Sequence, residues 1–336
     1  MLVSSPPNLR YLTNYAGSNG LLLLTTNEAY FFTDPRYGTE ASKSISCKVQ
    51  VAKGPLIEAA AALIKRKRLK KIGFETGWLK HEEFAKLKEA MPLGASLVPV
   101  GRIIEQQRMI KSATEIALIR KSVLVNSEAH ARTLRRVRSG VREQDIAAEL
   151  EFQMRMLGAE KASFDTIVAA GDRTALPHAR PSTRRLEENE LLLIDMGASV
   201  EGYASDMTRM AYAGTPPRQI RELYRAVLEA QLAAIDAVRP GVLAYKVDVA
   251  ARNVLKRHKL DRVFIHSTGH GLGLEIHEPP RLGKKDQTRL EPGMAITIEP
   301  GAYVEGVGGV RIEDTVLVTE DGCEVLTPTS KELVKL

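Results

Sequence analysis

The spacing of apolar and polar residues changes several times along this chain of 336 residues. Over the first hundred residues, short apolar runs alternate with amphipathic stretches. "GLLLLTT" and "EAYFFTD" are each about one strand long, and Thr25, Thr26 and Asn27 between them predict a hairpin turn. "IEAAAALIKRKR" and "HEEFAKLKEAM" place apolar residues at helical spacing, and Pro92 and Gly94 end the second. Further on, Ser112 and Glu115 have the capping-box spacing, so a helix is predicted from Ala113 to about Arg138, before Ser139-Gly140. "REQDIAAELEFQMRML" reads as a helix ending at Gly158, "RELYRAVLEAQLAAIDAV" as a long one stopped by Pro240-Gly241, and "AYKVDVAARNVLKRHK" as a further amphipathic one. Between them "LLLIDMG", "MTRMAYA", "AITIEPG" and "VRIEDTVLV" read as strands. The pattern predicts a smaller α/β domain over 1–108 and a larger α+β domain over 109–336, with no short repeat and no low-complexity linker.

Composition narrows the class. Hydrophobic residues make up 44% and charged residues 26%, ordinary values for a globular enzyme-sized chain. The longest apolar run, in "GLLLLTT", is far too short to cross a bilayer, and "MLVSSPPN" has no secretory pattern. Cys47 and Cys323 stand far apart in no metal-type spacing, which fits reduced thiols in the cytoplasm. The net charge of +7 is concentrated most sharply in "KRKRLKK" at 65–71. No aromatic residue interleaves that run, so it is read as the solvated end of a helix and nucleic-acid binding is not expected.

The chemistry lies where carboxylates interrupt apolar strands. Asp195 closes "ELLLID" and Asp206 lies in "YASDMTRM"; a reversal between Val200 and Glu201 would set the two acids directly opposite each other. Glu299 ends "AITIE", Glu313 sits in "VRIED", and "EGVGG" between them provides a second reversal. Arg311, two residues before Glu313, shares its face. Any one of these acids could be an ordinary hydrogen-bonded strand carboxylate, but four embedded in apolar strands call for a common partner. "HSTGHGLGLEIHEPP" adds three of the chain's seven histidines, His266, His270 and His277. Four carboxylates with one neutral imidazole balance two divalent cations. Such an oxygen-rich, thiolate-free set suits manganese, cobalt, iron or zinc in a hydrolytic site.

"LPHARP", "LLLIDMGASVEGYASDMTR", "HSTGHGLGLEIHE", "EPGMAITIEPGAY" and "GGVRIEDTVLVT" together resemble the creatinase/prolidase/methionine aminopeptidase family of pita-bread metallopeptidases over residues 112 to 336. "LRYLTNYAGSNGLLLLTTNEAYFFTDPRY" is similar to the N-terminal domain of its Xaa-Pro branch, prolidase and aminopeptidase P. The resemblance implies a curved antiparallel sheet flanked by helices and a creatinase-like N-terminal domain. It implies two divalent metal ions per subunit, Mn2+ foremost, with Co2+ or Zn2+ as alternatives. Asp195, Asp206, His270, Glu299 and Glu313 are the ligands it assigns: Asp206 and Glu313 bridge, Asp195 serves one metal, and His270 with Glu299 the other. It makes His178 and His277 catalytic hydrogen-bond donors, Glu299 a proton shuttle, His266 a substrate-pocket residue and Arg281 the clamp for a dipeptide's carboxylate, and it has Arg311 orient the carboxylates. Gly269, Gly271 and Gly273 are expected to let the backbone pass close to metal and substrate.

The implied reaction is hydrolysis before proline in proline-containing dipeptides, by a hydroxide bridging the two metals, in a cytoplasmic homodimer without membrane or nucleic-acid partners. Aminopeptidase P activity on longer peptides is the alternative, and a non-catalytic peptide-binding relative a more distant one. Two departures stand out. The branch's "TDGRY" reads "TDPRY" here, with Pro35 restricting the turn. Relatives also carry a helix and most of a strand ahead of "VSSPPNLRYL". The expectation is therefore that roughly twenty-odd residues are missing before Met1 and that an edge of the N-terminal sheet is exposed.

Overall fold

A computed structural model describes all residues, Met1–Leu336, and divides into two compact units, Met1–Arg108 and Met109–Leu336. The smaller is built on a six-stranded sheet. Its hairpin pairs Leu21–Leu24 with Ala29–Thr33 around a turn closed by the Thr25 N–H donating to the Glu28 carbonyl at 2.8 Å. The helices Leu56–Arg66 and His81–Ala90 bury Ile57, Ala60, Leu63, Ile64 and Leu87 in a core with Leu21, Leu23 and Phe32. The basic run is the exposed end of the first of these helices and the turn after it, where Arg68 has φ +53° before the strand Lys71–Glu75. The expected exposed edge at the chain start is not found. Leu2–Val3 is buried in the middle of the sheet, antiparallel to Leu21–Leu24 and parallel to Lys71–Glu75, and the edges are Lys48–Val51 and Ser96–Val100. The apolar pair is held where both faces of the sheet are covered.

The larger unit surrounds antiparallel ladders with helices. Ser112 caps the helix Ala113–Leu134 as its spacing predicts, with Glu115 returning a bond to the Ser112 N–H at 2.9 Å. That helix stops four residues short of Arg138, because Arg136 and Val137 donate to carbonyls three residues back and tighten the last turn. Glu143–Met156 follows and ends before Gly158, whose φ is +98°. Arg218–Asp236 buries Ile220, Leu223, Tyr224, Val227, Ala230 and Ala234, one stripe at helical spacing. With Ala244–Arg257 it covers a core containing Leu191, Leu193, Ile296, Ile298 and Val316. A second core under the first two helices gathers Ile146, Leu150, Met154, Leu192, Ile194 and Met196. Alternate residues of the strand Glu190–Met196 therefore face two different cores, which is why "ELLLID" is continuously apolar. No helix is long and apolar enough to cross a membrane.

His130, buried on the helix Ala113–Leu134, carries a pH-dependent part of the stability. Burial, with a smaller push from Arg209, drives its pKa from 6.5 down to about 4. The unfolded chain takes up this proton first as pH falls, so the contribution is complete above about pH 6.5 and lost toward pH 4. Urea unfolding of His130→Gln across that window is expected to show a shallower pH slope than wild type, the difference amounting to roughly 2–3 kcal/mol.

Candidate active site and metal centre

Two hairpins supply the acids. In the first, Glu190–Met196 pairs with Met207–Ala213, and Thr208, not Asp206, stands opposite Asp195. The reversal is a two-residue turn at Glu201-Gly202, both at positive φ (49° and 83°), one residue later than expected. The resulting slip of two keeps every side chain on its predicted face and leaves Asp195 and Asp206 diagonal neighbours. The ladder breaks at Asp206, across from Gly197, where a Cβ would lie 2.1 Å from the Ser205 carbonyl oxygen. In the second hairpin Ile298 pairs with Asp314 and Gly301 with Arg311, so Glu299 and Glu313 face each other in the break between two ladders. "VRIEDTVLV" is accordingly two strands, Gly308–Arg311 and Asp314–Val318. At both breaks the chain leaves its pleat, and a carboxylate turns inward instead of packing in the sheet.

Thr208 joins the hairpins: its hydroxyl donates to Glu313 Oε2 at 2.7 Å, and its carbonyl accepts the Glu313 N–H at 3.3 Å. Behind this contact, Arg209 donates to the Glu313 carbonyl at 2.5 Å and to Asp314 Oδ1 at 2.7 Å, and Gln231 and Lys331 also reach Asp314. His270 arrives on the short strand Gly269–Gly271, between Glu278–Leu282 and Ala295–Ile298. Two of the glycines there allow close strand contact: a Cβ at Gly269 would sit 1.9 Å from the Thr297 carbonyl oxygen, and one at Gly271 2.3 Å from that of Pro279.

The structure brings Asp206, His270 and Glu313 together, with one ligand atom from each lying within 4.8 Å of the others. His270 Nε2 is 3.5 Å from Asp206 Oδ2 and 3.3 Å from Glu299 Oε1. Its Nδ1 donates to the Gly271 carbonyl at 3.0 Å, so Nε2 presents the lone pair of the neutral ring to the acids. Asp195 is held by Arg311, whose guanidinium reaches its Oδ2 at 2.5 Å, the Tyr303 hydroxyl at 2.7 Å, Thr208 Oγ1 at 3.1 Å and the Pro177 carbonyl at 3.2 Å. Burial and the neighbouring acids raise the Asp206 and Glu313 pKa values far above the carboxylate range. Glu299 is pushed up to about 7 by burial, Arg311 opposing and Asp195 adding to the shift. Asp195 Oδ1, Asp206 Oδ1 and Glu313 Oε1 are buried and accept no hydrogen bond. Three orphaned carboxylate oxygens beside an imidazole lone pair fit divalent cations, since leaving each unsatisfied costs about 1–3 kcal/mol or more.

The remaining predicted residues ring this cluster. His277 packs its ring on His270 at 4.3 Å between centroids, and burial lowers its pKa to about 4. His178 stands exposed on the loop after Pro177, near enough for its charge to depress the pKa values of His266, His277 and Glu299. His266 has both nitrogens engaged: Nδ1 donates to the Ser267 carbonyl and Nε2 accepts the Tyr303 hydroxyl, each at 2.8 Å. Arg281 is exposed, stands opposite His270 in the ladder, and shares a cleft of about 500 Å³ with His266.

Sequence reasoning missed Thr208, Tyr303 and Glu143. Buried Glu143 accepts the N–H groups of Ala170 and Ser182, the Ser182 hydroxyl and the Arg173 guanidinium, and so ties down both ends of the loop carrying His178. In the sequence it is only an acid in a helix's first turn, and its loop partners are up to 39 residues away.

A buried acid and imidazole cluster poised for divalent metal, set in antiparallel hairpins between helical layers, defines a metal-dependent hydrolase of pita-bread architecture. The chain belongs to metallopeptidase family M24, whose profile matches residues 117–320, and the creatinase/prolidase N-terminal domain matches residues 1–110. A Xaa-Pro dipeptidase of Pyrococcus furiosus is 38% identical over 335 residues, covering 99% of this chain and 94% of the relative. The solved structure titled Xaa-Pro dipeptidase from Bacillus anthracis superposes with TM-score 0.97 at 39% identity, covering 100% of this chain and 94% of that one. An X-Pro aminopeptidase structure from Thermotoga maritima gives TM-score 0.94 at 32% identity, covering 100% and 97%.

Proposed function

We propose that this chain is a Xaa-Pro dipeptidase, hydrolysing the peptide bond that precedes proline. The observation that carries the reading is the cluster of Asp206, His270 and Glu313, with one ligand atom of each within 4.8 Å of the others, beside a strand in which His270 stands opposite Arg281, a cation without an ion pair. The dipeptidase relatives support it. Asp195, Asp206, His270, Glu299 and Glu313 would hold two divalent cations. When bound, these ions supply Lewis acidity toward the scissile carbonyl and lower the pKa of a water. The oxygen-rich donor set favours Mn2+ or Co2+.

Glu299 takes the proton from the attacking water and returns it to the proline nitrogen as the bond breaks. His178 and His277 donate hydrogen bonds to the charge that develops on the carbonyl oxygen and at the leaving nitrogen. Arg281 binds the terminal carboxylate with its planar fork. Arg311 fixes Asp195 and Tyr303, and His266, with both nitrogens spent, meets substrate only through its ring. A cytoplasmic homodimer completes the reading, on likeness to the Xaa-Pro branch alone.

Aminopeptidase action on longer peptides is the second reading, favoured by the open cleft beyond Arg281 and by the aminopeptidase neighbour. Protein stripped by chelation and reloaded with Mn2+, Co2+, Zn2+ or Mg2+ should hydrolyse Ala-Pro and not Ala-Ala. Faster turnover of Ala-Pro-Ala than of Ala-Pro would move the assignment to an aminopeptidase. No hydrolysis with any metal would leave a non-catalytic binding protein.

A further inference from the structure

The loop 171–182 leaves the sheet after the strand Ile167–Ala170 and carries His178 between Pro177 and Pro181. Both prolines fix φ and lack an N–H, which leaves carbonyls as the handles by which the chain around His178 is held. Two guanidinium groups take them. Arg311 donates to the Pro177 carbonyl at 3.2 Å, and Arg173 donates to the Arg180 carbonyl at 2.7 Å. His178 is therefore bracketed, with one such bond on the residue before it and one on the second residue after it.

The two arginines are anchored on different parts of the fold. Arg311 is fixed inside the acid cluster by Asp195. Arg173 is fixed by Glu143, a fully buried acid in the first turn of the helix Glu143–Met156, which shares the Arg173 Nε–H between its two oxygens at 3.0 and 3.2 Å. The same carboxylate accepts the Ala170 N–H at 2.9 Å, the Ser182 N–H at 2.9 Å and the Ser182 hydroxyl at 2.6 Å. The helix N-terminus favours a negative charge there. A carboxylate is costly to bury, and every donor that offsets the cost belongs to this loop or to the residue just before it. Midway along, the Thr174 hydroxyl accepts the Gly309 N–H at 2.8 Å, so the loop also lies against the strand Gly308–Arg311 that delivers Arg311. This density of fastening falls on a segment whose one chemically versatile side chain is His178, close enough to act electrostatically on His266, His277 and Glu299.

We propose that Arg173, anchored by Glu143, is a positioning residue for His178: its bond to the Arg180 carbonyl fixes the loop so that the imidazole is presented to the reacting groups. The inference rests on the peptidase reading above and on the place of His178 in it. A displacement of about 1 Å at a catalytic group costs up to about 10²-fold in rate, so the effect belongs in kcat and not in metal content.

Arg173→Met leaves Glu143 its three other donors and is expected to fold and to bind metal as wild type does. Its kcat for Ala-Pro should fall about 10- to 100-fold with little change in KM. In metal-free protein, amide hydrogen exchange should quicken over 171–182 and not elsewhere. Arg173→Lys should recover denaturant stability, because a cation again faces Glu143, but not kcat, because a compact ammonium lacks the fork that reaches Glu143 and Arg180 together. The deciding measurement is a double-variant cycle with His178→Ala. His178→Ala alone should be about 10²-fold slower than wild type, and adding Arg173→Met should slow it no further, since the group through which Arg173 acts is gone. Losses that multiply in the double variant, wild-type kcat in Arg173→Met, or full recovery of kcat by the lysine would overturn the positioning role and leave the peptidase reading standing. Wild-type kcat in His178→Ala removes that histidine from the reaction and the inference with it. Failure of wild type to cleave any proline peptide overturns both.

Discussion

Glu313→Ala is expected to lose bound metal and to hydrolyse Ala-Pro at least about 10³-fold more slowly, a barrier increase of about 4 kcal/mol. Glu313 faces Glu299 in the ladder break, takes the Thr208 hydroxyl on Oε2 and leaves Oε1 buried without a donor. Its removal takes one of the four carboxylates from the set that would balance two dications. Elemental analysis of the purified variant and its kcat measured with excess Mn2+ check the two halves separately. His277→Ala is the contrast. That ring only leans on His270, so the metal content should stay at wild type while kcat falls by about 10²-fold. Full metal and full activity in Glu313→Ala would remove it from the ligand set.

The second large effect belongs to Arg311. Its guanidinium is buried and directs four hydrogen bonds at Asp195, Tyr303, Thr208 and Pro177. Burial works against its charge, yet Tyr303 and the carboxylates of Asp195, Glu299 and Glu313 outweigh burial and raise its pKa. Arg311→Met leaves Asp195 without that donor inside the acid cluster, and breaking a buried pair from one side costs about 3–5 kcal/mol. Denaturant unfolding of metal-free protein should show this full loss. Metal-loaded protein should show less, because bound cations then offset the same acids. Arg311→Lys should recover little, since a lysine cannot direct separate N–H groups at four acceptors. Equal destabilisation with and without metal would place Arg311 outside the electrostatic balance of the site.

The elements of the larger unit were legible because their signals are local: a capping box at Ser112, Gly158 after a helix, apolar stripes at helical spacing. The acids were legible for the opposite reason, as charges that the surrounding apolar strands do not explain. Register was less so. The turn at Glu201-Gly202 moved Asp206 from opposite Asp195 to its diagonal, and the site survived the error because a slip of two preserves the face. The contacts that escaped are those between hairpins. Thr208 looks like an ordinary strand residue and Tyr303 like an ordinary core aromatic until folding sets them against Glu313, Arg311 and His266. No periodicity encodes a meeting between residues 208 and 313. His266 changed most: a histidine expected to face substrate has both nitrogens committed inside the protein.

Neighbouring positions 208–209 and 313–314 fasten the two hairpins on opposite faces. Thr208 and Glu313 meet on the side of the acids, while Arg209 and Asp314 lock together on the reverse, backed by Gln231 and Lys331. One joint is therefore shared with the acids and the other lies on the side away from them. The Arg209–Asp314 fastening ties the two hairpins together without using any atom of the acid cluster's side chains, so the scaffold has a support that a change in its chemistry would leave in place.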